Sequence, residues 1–240
     1  TIIKGALDPA TTNGPAAVRC VYLAEGASLI GFTLTNGAVR IVAGTENHDN
    51  HGGGAWCAST GVILSNCVIT GNFGERYGGG VYRGTLYGCT LRGNQCLGVN
   101  ASTPYGGGAE AAVLFQCTLT ENSAKHGGGA GLSTLTDCRL IGNTSTTSGG
   151  GAIGCTLMRC LIVSNAAPYA AGMQDGTAYN SVFLRNSASS SGGATRSATL
   201  QNCLVVGNYA KGQGGGTRNS LVFNSTLVGN YAGSSGGGAY

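Results

Sequence analysis

An asparagine that returns at nearly fixed spacing constrains this chain more than any other feature. It falls at Asn72, Asn94, Asn122, Asn143, Asn165, Asn186, Asn208 and Asn230, at intervals of 22, 28, 21, 22, 21, 22 and 22 residues. Glycine clusters return in step at Gly52–Gly54, Gly78–Gly80, Gly106–Gly108, Gly127–Gly129, Gly149–Gly151, Gly214–Gly216 and Gly236–Gly238, with weaker copies at Gly172 and Gly192-Gly193. A unit this short cannot bury an apolar face by itself. It must stack on its neighbours, so that copies of one position form a column through the molecule.

Aligning the units on the asparagine exposes those columns. Three residues earlier stand Ile69, Leu91, Leu119, Leu140, Ile162, Phe183, Val205 and Leu227. Five earlier stand Cys67, Cys89, Cys117, Cys138, Cys160, Ser181, Cys203 and Ser225, and eight earlier Leu64, Leu86, Leu114, Leu135, Leu157, Ala178, Leu200 and Val222. The Cys-x-Leu step has the period of two that puts both side chains on one face of a strand. The residues between, such as Val68, Thr90, Thr118 and Arg139, are mixed, as an outward column should be. A 33-residue helical repeat does not fit this period, and a leucine-rich repeat would carry more helix-forming sequence. The pattern predicts an all-β chain, a single-stranded right-handed parallel β-helix with three short strands per coil of about 22 residues and nine to ten coils. One domain spans 1–240, with irregular entry coils over 1–51 and regular repeats over 52–240.

Each repeated element has a structural expectation. The asparagines are expected to take the left-handed conformation of a sharp turn, which Asn tolerates, and to bond to one another as an amide ladder along the stack. The glycines before several of them (Gly71, Gly93, Gly142, Gly207, Gly229) ease that bend. The triple glycines are expected to form a side-chain-free edge, which would also admit close lateral approach of another chain. The six column cysteines read as buried thiols acting as small hydrophobes; Ser181 and Ser225 share their slot, so a small side chain is the common requirement. Cys20, Cys57, Cys96 and Cys155 lie off the column, and a bridge among them stays open.

Composition excludes several classes. Forty-five of 240 residues are glycine without a collagen period, and a chain 42% hydrophobic and 9% charged is not disordered. The 13 basic residues are scattered and the formal charge is +4, so nucleic acid is not an expected partner. No apolar run is long enough for a membrane-spanning helix, and no signal peptide is visible at Thr1.

The recurring Asn-Cys-x-Ile-x-Gly-Asn and Gly-Gly-Gly-Ala segments resemble the right-handed parallel β-helix repeats of bacterial surface and secreted proteins in the pectate-lyase-like superfamily. They are also similar to polymorphic outer-membrane protein repeats, which carry a Gly-Gly-Ala and a Phe-x-x-Asn motif; Phe183-Leu184-Arg185-Asn186 matches the second, and elsewhere Leu or Ile takes the Phe place. The opening segments Arg19–Leu23 and Gly31–Gly37 resemble entry coils of that class. The resemblance implies the fold; its members include lyases, hydrolases, adhesins and spikes, so it implies no single activity.

Chemistry, if present, should lie in the departures from regularity. The four aspartates (Asp8, Asp49, Asp137, Asp175) form no pair, and Asp137 is expected to meet Arg159 of the next coil in an exposed ion pair. The glutamates Glu25, Glu46, Glu75, Glu110 and Glu121 are dispersed, though neighbouring coils could bring them together. The segment Glu46–His51 is the densest polar cluster, and His48, Asp49 and His51 make a candidate metal set. A ring column precedes the glycine clusters, running His51, Tyr77, Tyr105, His126 and then Ser148, Ala170, Ser191, Gln213 and Ser235, beside the long insertion Gln95–Tyr105. Trp56 and Tyr82 form a second pair. These six rings are the candidate ligand-binding residues, for a sugar or a partner protein, against the plainer reading of a cross-strand stack.

No cofactor is expected. The expected function is that of a non-enzymatic extracellular or bacterial cell-surface structural protein, a filament subunit or stalk whose open solenoid ends join head to tail to a second copy. The alternatives are a glycan- or host-surface-binding adhesin module and a divergent polysaccharide lyase or hydrolase. An ice-binding face would need unbroken outward threonines, and the column of Thr90, Thr118 and Thr226 is interrupted by Arg139 and Leu161.

Overall fold

The computed structural model describes residues 1–41, 48–96, 98 and 105–240, without the side chain of His48. Among them the chain is a parallel β-solenoid. Each strand pairs in parallel with its counterpart one repeat away, as Thr90–Arg92 does with Val68–Thr70 on one side and Thr118–Thr120 on the other. The Leu, Cys and Asn columns drawn from sequence stand in register.

Three faces surround the core. The first has ten strands, from Ile2–Lys4 and Thr33–Thr35 to Thr226–Val228. The third has eight, from Phe73–Gly74 to Tyr231–Ala232. The second departs from the expected three strands per coil. Early coils carry two short strands there, such as Ala55–Cys57 and Ile63–Ser65. Later coils fuse them into the seven-residue strands Ala152–Met158, Met173–Tyr179 and Thr195–Gln201. A coil thus has three strand segments where this strand is fused and four where it is split, as in the early coils and again in the last, with Thr217–Arg218 and Leu221–Phe223.

The core is narrow and filled one layer per coil. Leu64, Leu86, Leu114, Leu135 and Leu157 are fully buried beside Ile69, Leu91, Leu119, Leu140 and Ile162. Each such side chain contributes about 1.5–3 kcal/mol by leaving water. Where Ala178 shrinks one column, Phe183 of the same coil enlarges the other, so layer volume is kept.

The asparagine ladder runs unbroken from Asn72 to Asn230, and in the entry coil before it the Gly37 N–H takes the ladder position, donating to Asn72 Oδ1 at 2.8 Å. The Nδ2 of each donates to the Oδ1 of the next from Asn72 to Asn230, at 2.9–3.0 Å in all seven steps. The same Oδ1 accepts the backbone N–H of the preceding coil's asparagine, as Asn143 does from Asn122 at 3.0 Å. The second Nδ2 hydrogen goes to a main-chain carbonyl one coil back, Leu119 O at 2.9 Å for Asn143. The left-handed expectation fails: the asparagines are not at positive φ. The residue before each is, whether glycine (Gly71, φ 61°; Gly142, φ 62°) or not (Glu121, φ 56°; Arg185, φ 52°). The asparagine is selected for its amide, which satisfies main-chain groups where the ladder of strands is interrupted by the bend.

The cysteine column obeys the same logic. Each follows a left-handed residue at the corner between the second and first faces, Asn66, Gly88, Gln116, Asp137 and Arg159 among them. The sulfur accepts the backbone N–H of the preceding coil's cysteine at 3.4 Å, as Cys89 does from Cys67 and Cys138 from Cys117. The thiol lies within hydrogen-bond reach of the carbonyl two residues earlier, as Cys117 does of Phe115 O at 3.3 Å. Serine makes both contacts better: Ser181 Oγ accepts from Cys160 N at 3.0 Å and donates to Tyr179 O at 2.8 Å. The slot therefore asks for a small side chain with an acceptor and a donor, which small size alone does not describe. All ten cysteines are free, including the four off the column.

The triple glycines do not form an open edge. They are buried in most coils, and a Cβ on the second or third would collide with backbone of this same chain, such as Gly151 O above Gly129 and Ser123 O beside Gly107. The space that another chain would need is occupied from within. Only the first of each triplet takes the left-handed turn, at φ 61–72° in Gly127, Gly149 and Gly192.

Candidate functional site

Two outward columns flank that glycine turn. The one before it pairs His51, Tyr77, Tyr105 and His126 in sequence, then continues through Ser148, Tyr169 and Ser191. Tyr169 holds the place that counting assigned to Ala170. That coil is one residue shorter, and Ala170 supplies the left-handed turn at φ 50°. The column after the turn pairs Tyr22, Trp56, Tyr82, Glu110 and Gly131.

The rings are engaged with one another. Tyr22 lies flat on Trp56 with centroids 4.3 Å apart, leaving Trp56 3% exposed and Tyr22 59% exposed. His51 meets Tyr77 at 4.8 Å and Tyr82 at 4.7 Å, joining the two columns. Tyr77 and Tyr105 are 6.3 Å apart, Tyr105 and His126 5.2 Å. The Arg76 and Arg83 guanidiniums sit over Tyr77 and Tyr82 at 5.3 and 5.1 Å. His126 Nδ1 is 3.0 Å from Ser148 Oγ, and burial beside Lys125 lowers its pKa.

Glu110 continues this column with a carboxyl where earlier coils have rings. It is 1% exposed, and its Oε2 has no hydrogen-bond partner among the described residues. The oxygen fills the space that a side chain at Gly131, in register in the next coil, would need. Burial pushes its pKa up to about 8, so at neutral pH it is a neutral acid. Reading the glutamates along the chain misses it. The one available signal is register: counted from its glycine triplet, Glu110 falls on the place of Trp56 and Tyr82.

The other sequence candidates are placed plainly. Of the metal set, the His48 side chain lies outside the described residues, as do Glu46 and Asn47 and most of the insertion before Tyr105. His51 packs in the ring cluster, and the Asp49 and His51 carbonyls accept Arg19 Nη2 at 3.2 and 2.8 Å. Among the described residues no three His, Cys, Asp or Glu side chains gather as a metal site would require. Asp137 and Arg159 form the expected exposed pair, bidentate at 2.7 and 2.8 Å. Burial pushes the Cys57 and Cys155 thiols up to about 12, which keeps them protonated. An outward threonine column does exist on the second face, where Thr134, Thr156, Thr177 and Thr199 pair in consecutive coils.

No family model matches the chain, and no curated protein matches it. Solved structures similar to it include a tailspike and a surface adhesin. The Dettilon tailspike protein is 10% identical with a TM-score of 0.34, over 90% of this chain and 52% of that one. PfbA, a surface adhesin of Streptococcus pneumoniae, is 12% identical with a TM-score of 0.35, over 91% of this chain and 71% of that one. The chain thus spans about half the length of the tailspike. Among the described residues no helix is long and apolar enough to cross a membrane.

Proposed function

We propose that the chain is a stiff, non-catalytic rod in an extracellular or cell-surface protein, extended by further in-register coils or by head-to-tail addition of a second copy. The observation that carries this reading is the amide ladder. Seven consecutive side-chain bonds at 2.9–3.0 Å tie eight coils along one line inside the core. Every such amide between Asn94 and Asn208 also holds main chain in adjacent coils, so bending at one coil would leave several buried polar groups unmet. Force spectroscopy tests it: pulling along the axis should give a high unfolding force that drops when Asn143 is replaced by leucine. An unchanged force would defeat the reading. Light scattering against concentration tests self-addition.

A second reading, glycan or host-surface binding through His51, Tyr77, Tyr105, His126, Trp56 and Tyr82, is supported by the exposed face of Tyr22 over Trp56. Retained binding after Tyr77→Ala and Tyr105→Ala would remove it. An enzymatic reading would have to use Glu110, the neutral buried acid of this cluster, and loss of any such activity in Glu110→Gln is its test.

A further inference from the structure

The last coils carry the whole charge imbalance of the molecule. Up to Asp175 the chain has nine basic and nine acidic residues; beyond it stand Arg185, Arg196, Lys211 and Arg218, and no acid. Two of these four share one column. The outward column after the glycine turn, which holds Tyr22, Trp56, Tyr82 and Glu110 in earlier coils, continues from Gly131 through Ile153 and Gln174 to Arg196 and Arg218. Their strand neighbours Thr195 and Thr217 are the buried, inward residues.

Side chains in register on adjacent strands start about 4.8 Å apart, and like charges placed so repel. The surroundings nevertheless hold both guanidiniums in place. Each leans back across the turn toward the preceding coil. Arg196 lies over the Tyr169 ring at 5.1 Å. Arg218 Nη1 donates to Ser191 Oγ at 2.9 Å, and the Tyr240 ring of the following coil stands 5.9 Å from its guanidinium carbon.

No carboxylate answers these charges. Neither arginine forms an ion pair among the described residues. Asp175, the acid beside Gln174 in the preceding coil, accepts Gln174 Nε2 at 3.2 Å. The Nε of each arginine is enclosed and unpaired. Both terminal nitrogens of Arg196 and the Nη2 of Arg218 are unpaired as well, but these remain open to solvent. The donors left over are therefore the ones that a ligand can reach.

We infer that Arg196 and Arg218 bind one dianionic phosphoryl group, as free phosphate or as a phosphate monoester. Two fixed positive charges one strand apart match a group that carries two negative charges on one centre. The terminal nitrogens of a guanidinium match its oxygens in pairs. Such a group also removes the repulsion between the two arginines. The site is separate from the ring cluster and goes beyond the rod function, which does not need it.

Titration calorimetry on the whole chain at pH 8 and fixed ionic strength tests the inference, with inorganic phosphate, glucose 6-phosphate and acetate as probes. Both phosphate probes are dianions at this pH. At least one of them should bind at one site per chain, at least tenfold tighter than acetate. Whichever binds more tightly identifies the form of the phosphoryl group. Arg196→Gln and Arg218→Gln should each weaken binding at least tenfold. Arg196→Lys keeps the charge but loses the paired donors, and should weaken it severalfold. Arg185→Gln removes the same charge from the same coils at the corner between the first and third faces, and should leave affinity within twofold of the parent. All these side chains reach the surface, so every variant should melt like the parent by circular dichroism. No binding of either phosphate probe, equal binding of acetate, unaltered binding when both Arg196 and Arg218 are glutamine, or an equal loss in Arg185→Gln would overturn the assignment. None of these results bears on the mechanical test of the rod.

Discussion

Glu110 offers the sharpest test of the energetics. Its folded pKa is raised to about 8 from an ordinary value of 4.5 by burial. The folded state therefore holds this proton through a window in which the unfolded chain releases it. Unfolding free energy falls wherever the native state binds more protons, so stability declines as pH rises from about 4.5 to 8. The difference of about 3.5 units at about 1.4 kcal/mol per unit makes a loss on the order of 5 kcal/mol, absent below the unfolded pKa and complete above the folded one. Glu110→Gln keeps the shape and cannot ionise. Guanidinium unfolding of both proteins by circular dichroism at each pH from 4 to 9 should give similar midpoints near pH 4 and a mutant progressively more stable above pH 5. Other titrating groups act equally in both proteins, so the difference between the curves isolates this carboxyl. A mutant that tracks the parent across the range, or is less stable at pH 9, would refute the argument that the carboxyl is buried without a compensating partner among the described residues.

Four further outcomes follow from the ladders. Asn143→Leu removes the acceptor for the Asn122 amide and the donor to Leu119 O, and should cost at least about 3 kcal/mol by denaturant titration. Cys117→Ser preserves the acceptor for Cys89 N and should stay within about 1 kcal/mol of the parent, whereas Cys117→Ala should lose about 1–3 kcal/mol. The contrast separates a hydrogen-bonding slot from a merely small one. Alkylation of the native, unreduced protein should label Cys20 first, the one cysteine that is not buried, and all ten thiols after denaturation, as read by mass spectrometry.

The fold was legible because stacking converts a one-dimensional period into columns, and three columns could be aligned on a single residue type. What the period could not show is which group each column residue serves. Cys67 looked like the answer to a steric question, a small slot, and Asn72 like the answer to a tight turn together with an amide ladder along the stack. Both answer a hydrogen-bonding one, posed by main-chain groups at corners that the neighbouring strand does not reach. Steric reasoning put the left-handed residue one position too late, because it assigned the bend to the residue that was repeated. The repeated residue caps the bend that its predecessor makes. That is why Gly71, Glu121 and Arg185 vary in type while the asparagine after each does not.

The site residues were less legible for a related reason. Glu110 carries no motif and differs from its column neighbours by one substitution, a carboxyl among rings. Such substitutions become visible only when register is right, and register on the third face depends on counting from the asparagine to the turn. That count runs five, six, five and six residues from Asn122 to Gly127, Asn143 to Gly149, Asn165 to Ala170 and Asn186 to Gly192. Aligning on glycine alone hides the alternation, because Ala170 takes the turn in the third of these coils, and it misplaces Tyr169. The alternation has a physical consequence. The asparagine ladder and the core columns fix one edge of every coil, so a missing residue cannot be absorbed by sliding the whole coil. It is absorbed on the third face, where the pairing shifts register on both sides of Ala166–Tyr169. In a solenoid held this tightly, small changes of coil length act on the surface and leave the core columns in register.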